Sequence, residues 1–199
     1  MTILTIPKQT HFRSSTFGLE ENTETFISPI SNTIQTLART GARWYLTINY
    51  APMKRADAQV VIAFLTKLRG RVNSLNGFDP NATSPLGDVS GSTLLVNGAS
   101  QTGNSLICDG AEASTLVLKA GDYFEVNNEL KMVTDDATSD ASGDVTINFS
   151  PSLRSSPSDD ASITTTNPNC EMKLVDDNVT WSQSVGDIYN ISFSAIEVF

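Results

Sequence analysis

The sequence predicts a mainly β protein, in which a domain of one sheet and one α-helix carries an inserted small β-barrel or sandwich. Residues 44–50 (WYLTINY) alternate strictly between an apolar and a polar face, which is typical of a strand with one buried side. Residues 56–69 hold one amphipathic helical pattern. Residues 81–170 hold short apolar runs at roughly ten-residue spacing between turn residues, which favours a small barrel or sandwich.

The two ends of the chain are predicted to share one sheet. Besides 44–50, strands are predicted at 33–39 and near 25–27, and again at 171–175, 180–185 and 189–195. After Ala195 the apolar phase slips to Ile196 and Val198, so we expect a β-bulge there. Both tryptophans are expected in the core. The predicted sheet core is Trp44, Leu46, Ile48, Tyr50, Ile191 and Phe193.

The helix is predicted to lie against this sheet. Its apolar residues fall at the i, i+3, i+4 and i+7 positions of one face, with Gly70 as the stop signal. The predicted packing face is Val61, Phe64, Leu65 and Leu68.

A discontinuous organisation follows from these patterns. Residues 1–80 and 171–199 are predicted to form one domain, because 171–199 alone cannot bury the apolar face of its strands. Residues 81–170 are predicted to be an inserted barrel, since insertions at exposed loops are tolerated. Within it, Asn127-Asn128 is a candidate two-residue hairpin turn. The candidate strands are 92–96, 105–108, 114–118, 123–126, 130–133 and 145–149.

Charge argues against a nucleic-acid binder. The chain has 22 acidic and 13 basic residues, a net charge of −9, whereas phosphate contacts need lysine and arginine. Acids concentrate after residue 80, so oppositely charged surfaces could meet between copies; ordinary solubility is the simpler explanation. No apolar run suits a signal peptide or a membrane span, so folding in a cytoplasm is expected.

The usual signs of catalysis or metal binding are missing from the sequence. His11 is the only histidine, and it is expected to be a surface or strand residue. Cys108 and Cys170 form no C-x-x-C pair, so buried thiols are favoured over a zinc site or a disulfide. The acidic run 135–144 lacks the spacing of a calcium loop and predicts a solvated turn. We therefore predict no catalytic residue, no metal site and no cofactor.

A series of short motifs, taken in order, resembles one protein family. It begins with Thr40-Gly-Ala-Arg-Trp44, Tyr50-Ala-Pro-Met53 and Leu68-Arg-Gly-Arg71. Residues 98–103 (GASQTG), 118–124 (LKAGDYF) and 147–154 (INFSPSLR) follow. From about residue 40 onward, this series resembles the small distal tail proteins of long-tailed phages.

The resemblance implies a tail-tube-like β-sandwich with one helix and an inserted OB-like barrel. It further implies a homo-oligomeric ring, expected to be a hexamer, between the tail tube protein and a baseplate hub or tail fibre protein. DNA would pass through the ring's channel without specific binding, in a virion tail assembled in the bacterial cytoplasm. We expect no membrane partner and no enzyme activity. Strands beside Pro52 and the last strand, 189–199, are expected to supply the sheet edges that join copies.

Two alternatives stay open. The first is a carbohydrate-binding module for host recognition, carried by 81–170 and its aromatic pair Tyr123-Phe124. The second is a wall-degrading hydrolase.

Overall fold

A computed structural model describes residues 2–199, and it shows a mainly β protein with one α-helix in that span. This confirms the predicted fold class. The elements before residue 78 are β1 (Ile3–Leu4), β2 (Phe12–Glu20), β3 (Thr23–Ile27), β4 (Ile34–Ala38), β5 (Arg43–Tyr50), β6 (Met53–Lys54), α1 (Arg55–Leu68) and β7 (Ser74–Gly77).

Shorter strands make up the middle of the chain, as their turn-rich composition predicts. They are β8 (Leu95–Val96), β9 (Ser105–Asp109), β10 (Leu116–Leu118), β11 (Tyr123–Val126), β12 (Glu129–Val133), β13 (Ala137–Thr138), β14 (Val145–Ser150) and β15 (Ile163–Thr164). The chain then returns through β16 (Cys170–Leu174), β17 (Trp181–Ser184) and β18 (Ile188–Glu197).

The first sheet is formed by both ends of the chain. Its strand order is β1-β7-β16-β18-β5-β2, and β6 and β17 also pair with β18. All these pairs are antiparallel except β1–β7. Strand β18 therefore lies in the middle of the sheet and has neighbours on both sides.

The helix α1 covers one face of this sheet. Its packing residues Val61, Leu65 and Leu68 are fully buried, and the Phe64 ring lies 6.2 Å from the Phe193 ring. The helix ends at Arg69, which takes a left-handed conformation. All ten residues proposed for the helix face and the sheet core are buried in one cluster.

The second sheet is formed by the middle of the chain, in the order β15-β11-β12-β14-β9-β8. Main-chain hydrogen bonds from Ile163 to Leu94 and from Val96 to Ala161, both 3.0 Å, join its two ends. The sheet therefore curls around a second core, which contains Phe124, Phe149 and the free thiol of Cys108. The turn Asn127-Asn128 joins β11 to β12 with both residues at positive φ, as a two-residue hairpin requires.

Three sequence-based expectations are wrong. The pairing of β18 with β5 runs without a shift through Ala195 and Ile196, so there is no bulge. The buried face simply continues from Ala195 to Glu197, a carboxylate that is buried because it is paired. Trp181 is 46% exposed, because β17 is an edge strand that pairs only with β18. The last strand is central and supplies no free edge.

Candidate assembly surfaces

The most unusual surface is the hairpin formed by β3 and β4. It makes a two-stranded sheet of its own and pairs with no other strand within residues 2–199. Every residue of both strands is exposed. An isolated two-stranded hairpin is only marginally stable in water. The hairpin therefore has the properties of an element that is completed by another chain.

The exposed side chains of this hairpin are apolar on both faces. Cross-strand pairing places Ile27 beside Ile34 on one face, whereas Phe26 and Leu37 lie on the other. Their exposed fractions are between 56% and 65%, and Ile30 at the tip is 95% exposed. Single exposed apolar residues are common, but five on one short element make an exposed apolar surface of the kind found at interfaces.

The base of the hairpin is held in place by polar contacts. Asn22 donates a hydrogen bond through its side chain to the Thr40 carbonyl at 2.8 Å, and the Arg39 main-chain N–H donates to the Asn22 carbonyl at 2.8 Å. Arg39 also forms an ion pair with Glu24. The hairpin therefore leaves the body of the protein in a defined direction.

Two strands of the first sheet leave one edge unpaired among the described residues. Strand β2 ends the strand order on one side, and β17 pairs only with β18. Together β17, β18, β5 and β2 form a ribbon with a free edge at each side. An exposed edge presents unpaired N–H and C=O groups, which readily pair with another strand.

The middle of the ribbon's face opposite the helix is polar and uncharged, whereas Arg43 and Glu20 pair at one end of this face and Arg13 lines the groove at the other. The first row is Ser14, Asn49 and Ser192, and the next is Thr16, Thr47 and Ser194. Side chains bond across the strands, from Asn49 Nδ2 to Ser14 Oγ at 3.1 Å and between the Thr47 and Ser194 hydroxyls at 2.9 Å. The face also lines a shallow groove of about 580 Å³.

Charge is divided unequally between the two parts of the chain. Residues 81–170 contain 12 acids and three bases, and the remaining residues contain ten of each. The whole net charge of −9 therefore belongs to the middle segment. Many of its acids are exposed, including Asp135, Asp136 and Asp140. Asp140 accepts hydrogen bonds from the Ser142 and Asp144 main-chain N–H groups, as a solvated turn requires.

One ion pair joins the second sheet to the first. Arg154 donates to both carboxylate oxygens of Glu197, at 2.7 and 2.6 Å, and to the Ala42 carbonyl at 3.0 Å. We call Arg154 and Glu197 the junction ion pair. A second pair lies within β12, where the fully buried Lys131 contacts Glu129 at 2.7 Å. It supports the junction because Glu129 also accepts the main-chain N–H of Arg154 at 3.0 Å.

Burial and pairing act in opposite directions on these groups. Burial alone would raise the pKa of Glu129, but hydrogen bonds from Lys131, the Arg154 main chain and Ser155 hold it below its ordinary value. Burial lowers the pKa of Lys131, and Glu129 opposes that shift. Glu129 therefore favours its charged form in the folded protein, which keeps the Lys131 contact ionic.

Aromatic rings fill the same junction. Trp44 donates through its indole N–H to the Leu130 carbonyl at 2.9 Å. The Tyr123 ring lies 5.6 Å from Trp44 and 5.9 Å from Phe17, edge-on to both. The exposed ring of Phe199 is contacted by the guanidinium groups of Arg43 and Arg154, at 4.9 and 4.1 Å. Such cation–π contacts contribute roughly 0.5–1 kcal/mol at exposed sites.

The residues considered for chemistry do not come together. His11 is partly buried, and its Nδ1 lies 3.2 Å from the Thr10 hydroxyl. Within residues 2–199 no group of three His, Cys, Asp or Glu side chains is placed to hold a metal ion. The part of the chain that the structure describes also has no helix long and apolar enough to cross a membrane. No protein-family model matches this chain, and no curated protein matches it.

Proposed function

We propose that this chain is a structural subunit of a phage tail, which assembles into a ring with copies of itself. The single observation that supports this most is the β3–β4 hairpin, because its apolar side chains are exposed on both faces. A second copy is the partner that such a surface fits, since the same chain also presents free strand edges.

The edges favour a closed ring over a simple dimer. Strands β2 and β17 lie on opposite sides of the β17-β18-β5-β2 ribbon, so they present different surfaces. Pairing β2 of one copy with β17 of the next is a head-to-tail contact, and such contacts close into rings when the rotation per subunit allows it. Six copies are the number that the family resemblance implies.

The polar face of the ribbon suits the wall of a DNA channel. Its two central rows are hydroxyl and amide side chains with no lysine or arginine. Because DNA affinity comes largely from cations at the phosphates, such a wall would let DNA pass without binding it. In this proposal the ring lies between the tail tube protein and a baseplate hub or tail fibre protein.

The hairpin provides the direct test. The double variant Phe26→Ser/Leu37→Ser removes two large exposed side chains without touching either core. We expect the unmodified protein to sediment as an oligomer, alone or with the neighbouring tail proteins, and the variant to remain a monomer with an unchanged Tm.

The matched control is Leu86→Ser/Ile107→Ser, which removes exposed apolar side chains of similar size from the second sheet's segment; Leu86 is 77% and Ile107 49% exposed. This control should still assemble. Assembly that is equally strong in the hairpin variant would contradict the proposal, and so would a protein that stays monomeric beside its tail neighbours.

The carbohydrate-binding alternative loses the aromatic residues on which it depended. Phe124 and Phe149 are buried in the second core, and Tyr123 is half-buried between Phe17 and Trp44. A sugar-binding platform needs an exposed ring face, which these residues do not offer.

A further inference from the structure

Three separate segments meet in a cavity beside β7. They are the chain just after β1, the end of β7, and the segment that leads from the second sheet back into β16. The cavity has a volume of about 340 Å³, and its lining residues are Thr5, Gln9, Asn76, Phe78, Asn167 and Asn169. We call it the amide pocket. Its volume lies within the range of small-molecule sites, about 300–1,000 Å³.

The side chains that line the pocket are uncharged, and four of them are carboxamides. A carboxamide both donates and accepts hydrogen bonds, which is also true of a sugar hydroxyl. Two carboxylates lie beside the pocket. Glu125 accepts two hydrogen bonds from Asn169, and Glu171 is the direct cross-strand partner of Asn76. The pocket therefore matches a neutral, hydroxyl-rich ligand better than an anion.

Two of the amides are held by the surrounding structure. Asn169 donates to Glu125 Oε2 through its side chain at 3.0 Å and through its main chain at 3.1 Å, which leaves its Oδ1 free to accept. Asn167 is fixed at the main chain by a 2.7 Å hydrogen bond to the Thr83 carbonyl. Such preorganisation lowers the entropy cost of binding.

Asn76 is the most informative residue of the pocket. It lies within strand β7, a position that asparagine seldom occupies. Its side chain makes no hydrogen bond to any other residue of 2–199 and is only partly buried. A partly exposed amide without a protein partner is free to bond water or a ligand that displaces that water. Its neighbour Phe78 packs partly on the first core, so its ring is a fixed apolar wall.

From this arrangement we propose that the amide pocket binds a neutral saccharide of one or two residues. The amides would bond the hydroxyls, and the Phe78 ring would cover the apolar C–H face of the sugar. The pocket lies at the β1–β7 side of the first sheet, at the opposite end of the strand order from β2. The pocket is therefore remote from the β2 edge that the proposed ring contact uses.

Saturation-transfer difference NMR on the full chain tests this at any oligomeric state. The probes are glucose, galactose, N-acetylglucosamine and maltose, with sialic acid as a charged contrast. We expect at least one neutral sugar to give difference signals, and sialic acid to give none. Asn76→Ala should weaken that binding about three- to tenfold, the effect of one neutral hydrogen bond. Adding Gln9→Ala should weaken it further.

The control is Asn190→Ala, which removes an exposed strand asparagine in the groove over β18 instead. Its affinity for the sugar should equal that of the unmodified protein. Three outcomes would overturn the proposal: no signal from any neutral sugar, unchanged binding in Asn76→Ala/Gln9→Ala, or an equal loss in Asn190→Ala. Preferential binding of N-acetylglycine methylamide over every sugar would also overturn it, because the pocket would then be a peptide site.

Discussion

Removing the Glu197 carboxylate should weaken the contact between the two sheets and lower the free energy of unfolding. Its side chain is 1% exposed and bonds both terminal nitrogens of Arg154, whose side chain is 19% exposed. The carboxylate also accepts the Trp44 main-chain N–H at 3.1 Å. Glu197→Ala therefore leaves one largely buried cation and one buried donor without their partner.

The expected cost follows from these contacts. Removing one member of a buried ion pair typically costs about 3–5 kcal/mol. Water can reach part of the Arg154 guanidinium, so we expect the lower end, about 3 kcal/mol. For a chain of this size that corresponds to a fall in Tm of about 6–12 °C. The exposed carboxylate of Glu20 provides a control, since Glu20→Ala should change the free energy of unfolding by less than about 0.5 kcal/mol.

Urea unfolding followed by tryptophan fluorescence measures this directly, because Trp44 lies at the junction. The double variant Arg154→Met/Glu197→Leu replaces both charges by apolar groups. Its free energy of unfolding should fall by less than the sum of the losses in Arg154→Met and Glu197→Leu. A Glu197→Ala variant as stable as Glu20→Ala would refute the reasoning. Strictly additive losses in the double variant would do the same.

Four further predictions concern single positions. The pKa of Glu129 is lower in the folded protein than the ordinary 4.5, so the stability it adds is present at neutral pH and is lost as pH falls below about 4.5. Glu129→Gln should therefore flatten the acid side of the Tm–pH curve. The charged form of Glu125 has the opposite effect on stability, because burial raises the pKa of this carboxyl group. Glu125→Gln should therefore keep or raise Tm at pH 7, and a lower Tm would contradict this. Acrylamide should quench a large part of the native fluorescence, and Trp181→Phe should abolish that part, since Trp44 is 1% exposed; quenching that persists in the variant would contradict the assigned exposure. Gly87→Ala would place a Cβ 2.1 Å from the Val117 carbonyl oxygen and should cost about 1–3 kcal/mol in a urea melt; an unchanged midpoint would argue against that close contact.

The strict patterns in the sequence predicted the fold class well. Residues 44–50 formed β5 with its apolar residues buried, and the helical pattern formed α1 one residue earlier than expected. Strand β2 was missed because its centre, Arg13 to Thr16, is polar on successive positions. It is a strand because β5 pairs with it along its whole length. A single sequence does not reveal such a partner.

The surfaces were harder to predict than the elements. Strands near β3 and β4 were expected, but the exposure of their apolar residues Phe26, Ile27 and Ile34 was not. The sequence feature that indicates their exposure is the placement of apolar residues on both faces of one hairpin. Packing against a single sheet would bury only one of those faces. The burial of Glu197 was invisible for the opposite reason, because its partner Arg154 is distant in sequence.

The placement of charge explains how copies of an acidic chain could meet at these surfaces. A ring brings copies of one chain together, and repulsion between copies with a net charge of −9 each would oppose that. Here the residues outside 81–170 carry equal numbers of acids and bases, so the part with the hairpin and the free edges is neutral. The acidic segment is fixed to it by the junction ion pair, which is too buried for salt to screen strongly. In the proposed ring, repulsion between neighbouring acidic segments would therefore hold them apart, outside the neutral interface that joins the copies.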